Sequence, residues 1–261
     1  MNTIHSSQLD LLRKLLGEST RLVVFTGAGI STESGIPDFR SPGGLWTRYK
    51  PIDFRDFMAS EEMRRESWRI KFATEKIIGD AKPNQGHMAI SMLHRQKKLS
   101  AVITQNIDGL HHVSGIPDDK IIELHGNCTY AVCLECAKRY ELETIRAIFF
   151  PDERLPQCDA CGGIIKTATI SFGQPMPVQE MKRAKEATMA CDLFIAIGSS
   201  LVVYPAAGFP LLAKQNGARL VIINRDATEM DRYADLVINA EIGHTLAAAL
   251  KTGHTRSAGT A

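Results

Sequence analysis

The stretch Leu22-Val23-Val24-Phe25-Thr26-Gly27-Ala28-Gly29 decides the fold. Its four consecutive apolar residues lack the alternation of a half-exposed strand, so a strand built from them has to be covered on both faces. The glycines that end it mark a tight turn where backbone can approach another group closely. Working outward, similar runs occur at Ala101 to Thr104, Ile121 to Leu124, Leu193 to Ile197, Leu220 to Ile223 and Leu236 to Ile238. Helical spacing falls between several of them, at Gln85 to Arg95, Pro177 to Met189 and Pro205 to Gln215. Before the first run, Leu9, Leu12, Leu15 and Leu16 predict a helix over Gln8 to Leu16, with Ser6 or Ser7 as its cap. Short buried strands alternating with helices predict an α/β fold with an open, doubly wound parallel sheet. Ligands of such sheets sit at the carboxyl ends of the strands.

Two segments interrupt the alternation. Residues 39–80 are rich in charged and aromatic side chains, with helices expected over Ile52 to Ala59 and Glu61 to Ile77. Residues 128–165 hold five of the six cysteines. Both read as insertions that together make a smaller lobe. The large lobe is then expected at about residues 8–38, 81–127 and 166–251, followed by a small, polar, disordered tail over 252–261.

Composition narrows the class further. With 261 residues, 44% hydrophobic and 23% charged, the chain is neither a disordered nor a fibrous protein. Its 31 basic and 29 acidic residues leave a net charge of +2, which gives no whole-chain electrostatic case for nucleic acid or an acidic membrane. No apolar run approaches the roughly 20 residues needed to span a bilayer, and Met1 to Leu16 lacks the apolar stretch of a secretory signal. A cytoplasmic, monomeric protein that binds neither nucleic acid nor membrane is expected.

Cys133-Leu134-Glu135-Cys136 and Cys158-Asp159-Ala160-Cys161 are two CxxC pairs with 21 residues between them. Four thiolates in this pattern can close a tetrahedron around one zinc ion. Disulfides are disfavoured in a reducing compartment, and a redox motif needs only one pair. Four sulfur ligands leave no open position, so the metal is structural. Cys191, just before an apolar run, reads as core, and Cys128 as a bystander near the site.

Gly27-Ala28-Gly29 after a strand resembles the start of a dinucleotide-binding turn, but Thr32 stands where its third glycine belongs. Nucleotide binding and a plain tight turn are both compatible with it. The following Ser31 to Arg40, with Gly35 and Pro37, reads as a loop that folds over a ligand, with Arg40 reaching phosphate and Phe39 excluding water. Other strand ends carry polar groups: Gln105-Asn106-Ile107-Asp108, His125-Gly126, Gly198-Ser199-Ser200 and Asn224-Arg225-Asp226. Amides and carboxylates suit a carboxamide or ribose hydroxyls, although Asn, Asp and Gly are also ordinary turn residues. A histidine at a strand end can serve as a general base near neutral pH. His111 and His112 read as part of a solvated turn or short helix.

With these blocks together, the chain resembles the sirtuins, NAD-dependent protein lysine deacylases, over nearly its whole length. The resemblance is carried by GAGISTESGIPDFR (Gly27 to Arg40), TQNIDGLH (Thr104 to His111), ELHG (Glu123 to Gly126) and both CxxC pairs. SFGQPMP (Ser171 to Pro177), GSSLVVYPAA (Gly198 to Ala207) and Ile223-Asn224 complete it. It implies a Rossmann-like large lobe with a variant glycine turn, and a small lobe of zinc ribbon and helices. It also implies NAD as co-substrate and a protein or peptide bearing acyl-lysine as partner. By position, Gly27, Ala28, Gly29, Phe39 and Arg40 would line the cofactor pocket. Gln105, Asn106, Ile107 and Asp108 would face the nicotinamide and its ribose, and Gly198, Ser199, Ser200, Asn224, Arg225 and Asp226 the pyrophosphate and adenosine half. Ile170, Phe172, Gly173 and Val202, Val203, Tyr204 would flank an extended peptide bound as an added strand. The implied reaction transfers the acyl group to ADP-ribose, releasing nicotinamide and lysine, with Asn106 positioning ribose and water and His125 as general base.

Some positions depart from the family. Members preferring succinyl or malonyl groups carry a Tyr-x-x-Arg pair, where this chain reads Arg69-Ile70-Lys71-Phe72-Ala73-Thr74 after Trp68. Neutral acyl groups, acetyl first, are therefore the expected substrates and acidic ones poor, with Lys71 a partial substitute for the missing cation. Gln174 replaces a glutamate that is common after Phe-Gly. Leu45 to Tyr49 resembles the less-studied branches equally, which leaves mono-ADP-ribosyl transfer and removal of long-chain or lipoyl groups as alternatives within the family. A non-catalytic NAD-responsive or zinc-ribbon module is the alternative outside enzymology, and the presence of Asn106, Asp108 and His125 speaks against it.

Overall fold

The computed structural model describes residues 4–250, so the tail expected at 252–261 lies outside the described residues. The large lobe is a six-stranded sheet made of β1 (Leu22–Thr26), β2 (Leu99–Thr104), β3 (Ile121–Glu123), β7 (Leu193–Ile197), β8 (Arg219–Ile223) and β9 (Leu236–Ile238). All pairings are parallel, in the order β3-β2-β1-β7-β8-β9. Strand order thus reverses between β1 and β7, whose registers run from Leu22 opposite Leu193 to Thr26 opposite Ile197. A crevice at the carboxyl ends of those two strands is the ligand position for this topology.

Alternate residues of each central strand enter different cores, which explains the unbroken apolar runs. Leu22, Val24, Val102 and Ile195 pack with α1 (Ser6–Glu18), α4 (Gln85–Arg95) and α9 (Ile242–Leu250), through Leu12, Ile90 and Leu246 among others. Val23, Phe25, Ile103 and Phe194 pack with α7 (Val178–Ala190) and α8 (Phe209–Gln215), through Ala184, Phe209 and Ala213. The first helix begins at Ser6 with His5 as its N-cap, one residue ahead of the expected serines, and the Gln8 side chain accepts the His5 N–H. Residues 206–208 form a tight 3-10 turn before α8 instead of an α-helical one. Helix α9 has no counterpart in the sequence-based reading.

The smaller lobe joins both insertions. The first contributes α2 (Phe54–Ala59) and α3 (Glu61–Gly79), capped by Asp53 and Ser60, whose side chains accept backbone N–H groups. The second builds a three-stranded antiparallel sheet, ordered β5-β4-β6, from β4 (Gly126–Cys133), β5 (Arg139–Glu141) and β6 (Ile165–Thr169). Helix α6 (Leu142–Phe149) packs on it. This sheet runs past the expected 128–165 insertion at both ends. Trp68 and Phe72 of α3 share one core with Ala131, Ile145, Phe149 and Ile165, so the two insertions form a single body. Arg69 adds a surface clamp, hydrogen-bonded to Glu62, Glu66 and Glu153. Among the described residues no helix is long and apolar enough to cross a membrane.

Candidate active site

At the sheet's reversal point the glycine turns interlock. Gly29 N–H donates to Gly198 O at 2.8 Å and Gly27 N–H to Ile197 O at 3.0 Å. A Cβ on Gly27 would stand 2.8 Å from Gly198 O, and one on Gly29 2.8 Å from Gly198 Cα. These glycines are therefore required first by the close approach of two backbone turns. The segment after them is not the open loop expected: Ala28–Ser34 is a 3-10 helix closed by Gly35 at φ +85°. Asn84 is the reason, because its amide donates to Ile30 O and to Ser34 Oγ, while Glu33 accepts the Gly243 N–H from α9.

The strand ends converge on this turn. After β2, Gln105 accepts from Ser199 Oγ at 2.8 Å, tying the carboxyl ends of β2 and β7 together. Asn106 lies buried, its N–H on Thr104 Oγ1 and its side-chain amide donating to Ser31 Oγ at 3.2 Å. Ser31 Oγ in turn donates to Asp108 Oδ2 at 2.7 Å, and the Leu110 N–H holds Oδ1. Ser31 is thus a site residue that the sequence reading noted but left out of its candidates. The Asn224 amide donates to Asp226 O, whereas Arg225 and Asp226 form an exposed pair of their own at 3.4 Å.

His125 follows β3 half-buried, its Nδ1 3.0 Å from Gln105 O. A carbonyl only accepts, so Nδ1 carries the proton and Nε2 keeps its lone pair, the tautomer a general base needs. Burial, opposed by this hydrogen bond, pushes the imidazole below its ordinary pKa, and the nearby Arg40 charge acts in the same direction as burial. His111 is not in a solvated turn but buried in the short helix α5 (Leu110–Val113), its Nε2 2.9 Å from Thr26 Oγ1.

A cavity of about 210 Å³ is bordered by Ala28, Ser31, Phe39, Asn106, Ile107 and Asp108, while His125 is not among the residues that line it. Its other side is the small lobe, including Ile52 and one face of α3. Phe39 and Trp46 of the cavity wall belong to an aromatic chain, with Phe39 5.4 Å from Trp46, Trp46 5.4 Å from Phe172, and the Arg40 guanidinium 4.4 Å above Trp46. Trp46 was missed as a site component, and of the α3 face only Lys71 was noted; Ser67, Ile70, Lys71, Thr74 and Ile78 do show the spacing of one helix face. Gly27, Gly29, Gly198, Ser199, Ser200 and Asn224 stand outside the cavity, at the carboxyl ends of β1, β7 and β8. Ile170 donates its N–H to His125 O at 2.8 Å, which joins the segment after β6 to His125. Phe172 is 46% and Tyr204 67% exposed, and Val202 is exposed as well.

The four paired cysteines come together in the small lobe, every sulfur within 4.8 Å of the others. Cys133 and Cys161 are 3.5 Å apart and Cys136 and Cys158 3.6 Å. Tetrahedral zinc with Zn–S bonds of about 2.3 Å separates sulfurs by about 3.8 Å, so the set fits a closed structural zinc site. Cys191 is core, as expected, and Cys128 is buried on the cavity wall.

A family model for the Sir2 family matches residues 27–205. An NAD-dependent protein deacetylase of Rhodopseudomonas palustris is 56% identical over 241 residues, 92% of this chain and 95% of its own. NAD-dependent protein deacetylase 1 of Bradyrhizobium diazoefficiens is 57% identical over 92% of this chain and 94% of its own. Among solved structures, a Sir2 protein with p53 peptide and NAD+ superposes with a TM-score of 0.81 at 37% identity, covering 94% of this chain and 96% of that one. With a family model over residues 27–205 and relatives and solved structures matched over nearly the whole length, the chain belongs to the Sir2 family.

Proposed function

We propose that this protein is an NAD-dependent protein lysine deacetylase that transfers the acetyl group to ADP-ribose. The observation that carries the reading is the His125 tautomer: Nδ1–H is spent on the carbonyl of Gln105, the residue before Asn106, and Nε2 is left with its lone pair at the strand end. Relatives named NAD-dependent protein deacetylase, and Sir2 structures with NAD+ or with deacetylated peptide and 3'-O-acetyl ADP-ribose, support the same chemistry here. NAD supplies an activated ribose whose nicotinamide can depart. The donor set fits it: Asp108, anchored by Ser31 and the Leu110 N–H, presents a carboxylate to the carboxamide, with Ala28, Ile107 and Phe39 as apolar walls.

Each remaining residue has a task in this reading. Asn106, fixed by Thr104 and Ser31, orients the nicotinamide-side ribose and water, and Gln105 stands beside it. His125 accepts a ribose hydroxyl proton at Nε2. Phe39, packed on Trp46, keeps bulk water off the reacting carbon, and Arg40 offers charge to the pyrophosphate. Gly27, Gly29, Gly198, Ser199 and Ser200 line the pyrophosphate path, with Asn224, Arg225 and Asp226 on the adenosine side. The peptide adds as a strand between Ile170-Ser171-Phe172-Gly173 and Val202-Val203-Tyr204, and backbone pairing gives affinity with little sequence selectivity. Zinc bound by Cys133, Cys136, Cys158 and Cys161 holds the small lobe and stays out of the chemistry. The large lobe is taken as about 8–38, 81–127 and 166–251, the small lobe as about 39–80 and 128–165.

Six unpaired thiols suit a reducing compartment, and a net charge of +2 suits an enzyme that reads peptide backbone rather than nucleic acid. We therefore place it in the cytoplasm, acting as a monomer, which light scattering of the purified protein checks. Incubation with NAD and an acetyl-lysine peptide, followed by mass spectrometry, is expected to yield free lysine peptide, nicotinamide and O-acetyl-ADP-ribose in equal amounts. Formation of acetate with unchanged NAD would refute the reading.

A further inference from the structure

In the small-lobe sheet β6 is an edge strand, and its ladder to β4 is interrupted by a register shift between Gly126 opposite Thr169 and Ala131 opposite Thr167. The end of the strand therefore rests on few backbone bonds, those at Gly126 and the Ile170 N–H donated to His125 O. That end is placed for function, because Thr167, Thr169 and Ser171 all border the cavity.

Lys166 supplies a restraint that the broken ladder does not. The residue is only 3% exposed, and its ammonium donates to Thr169 O at 2.6 Å, with Thr167 O and Thr169 Oγ1 each at 3.4 Å. The ring of Phe57 from α2 stands 5.9 Å from the ammonium. Burial alone pulls its pKa down to about 8, and no carboxylate offsets that among the described residues. A buried cation served only by carbonyls is costly, whereas an apolar side chain would pack there without desolvating a charge. What the ammonium adds is direction, since it ties the Thr169 carbonyl back toward the body of the strand.

We propose that Lys166 is a positioning residue for the peptide substrate: by holding the Thr169 carbonyl it fixes the strand end, Thr169 to Ser171, on which an acyl-lysine peptide pairs. The inference rests on the deacetylase reading above and adds to it the residue that prepares the peptide's partner strand. Lys166 acts through the backbone and touches neither substrate nor cofactor. The His125 ring is held separately by Gln105 O, so the base depends less on this clamp. Loss of the clamp is therefore read in the KM for peptide more than in kcat or NAD affinity.

The test is steady-state kinetics with one acetyl-lysine peptide on wild type, Lys166→Met and Lys166→Arg, with zinc content and NAD binding by calorimetry measured for each. Lys166→Met is expected to raise the peptide KM about tenfold, as loss of a charge-assisted hydrogen bond does, with kcat and NAD affinity close to wild type. Lys166→Arg keeps the charge and is expected to recover most of that loss. Hydrogen exchange without peptide is expected to quicken across residues 167–172 in Lys166→Met and to stay unchanged across β1. If Lys166→Met fails to bind zinc, Lys166→Gln, an uncharged donor, takes its place with the same expected direction. An unchanged peptide KM, an equal rise in Lys166→Met and Lys166→Arg, or a parallel loss of NAD affinity overturns the proposal and leaves the deacetylase reading standing. Wild type inactive on the peptide sinks that reading, and this inference with it.

Discussion

In the proposed reaction, His125 is suited to act as a base by what its other nitrogen does. With Nδ1–H donated to Gln105 O, the free Nε2 is an acceptor, and burial keeps it unprotonated to a lower pH than an exposed imidazole. The sign follows directly: the active form is neutral, so activity is lost as pH falls through a pKa that lies below 6.5. The acid limb of kcat/KM is expected below that value, and a limb well above it would contradict the assigned environment. Replacing His125 by Ala is expected to lower turnover about 10²–10⁴-fold. Asn106, Asp108 and His125 could be picked out as candidates because they directly follow apolar runs, and ligands of parallel sheets sit at strand ends. His111 could not: only the tertiary fold shows that a His-His pair in a short helix turns one ring into the core, where it meets Thr26.

At the scale of elements, the buried runs β1, β7 and β8 were readable because both faces of each strand are covered. The ribbon strands β4 to β6 were not, because β5 has only three residues and β4 shifts register against β6 between Gly126 and Ala131. Helix α6 did display its stripe of Leu142, Ile145 and Phe149 at helical spacing, inside a segment dominated by cysteines. Zinc held by the four cysteines would tie the two CxxC turns of this ribbon together, so chelation is expected to loosen it and abolish activity, with zinc readdition restoring both. Near-ultraviolet circular dichroism of Trp68, which packs on the ribbon core, reports the loss. A chelated protein with full activity would remove zinc from the account. Helices α4 and α5 bring His87 and His111 together with ring centroids 5.0 Å apart, both buried. Burial, the main cause for each, pushes His87 down to about 4 and His111 down as well. The unfolded chain takes up these protons near pH 6.5 and the native state does so only at lower pH, so stability is lost as pH falls through that window. Urea unfolding at pH 7.5 and 5 is expected to show the drop, and His87→Leu to shrink it.

Across the whole molecule, composition and periodicity foresaw two lobes and a doubly wound sheet, but the strand order β3-β2-β1-β7-β8-β9 rests on pairings between residues far apart in the chain. That order creates the crevice, and the glycine turns seal it. Gly198 has φ +60°, and a Cβ there would lie 2.4 Å from Ile30 N. Gly198→Ala is therefore expected to cost about 2 kcal/mol or more in urea denaturation and to weaken NAD binding together with it. Equal stability of that variant would mean that the two turns do not need their close approach.

The central claim is that the crevice, base and peptide groove act together on one substrate pair. Nicotinamide release from NAD by zinc-loaded protein, with and without acetyl-lysine peptide, tests it most directly. Release is expected only when the peptide is present, and His125→Ala is expected to release nicotinamide while forming far less O-acetyl-ADP-ribose. Release that ignores the peptide, or no release with it, would contradict the account.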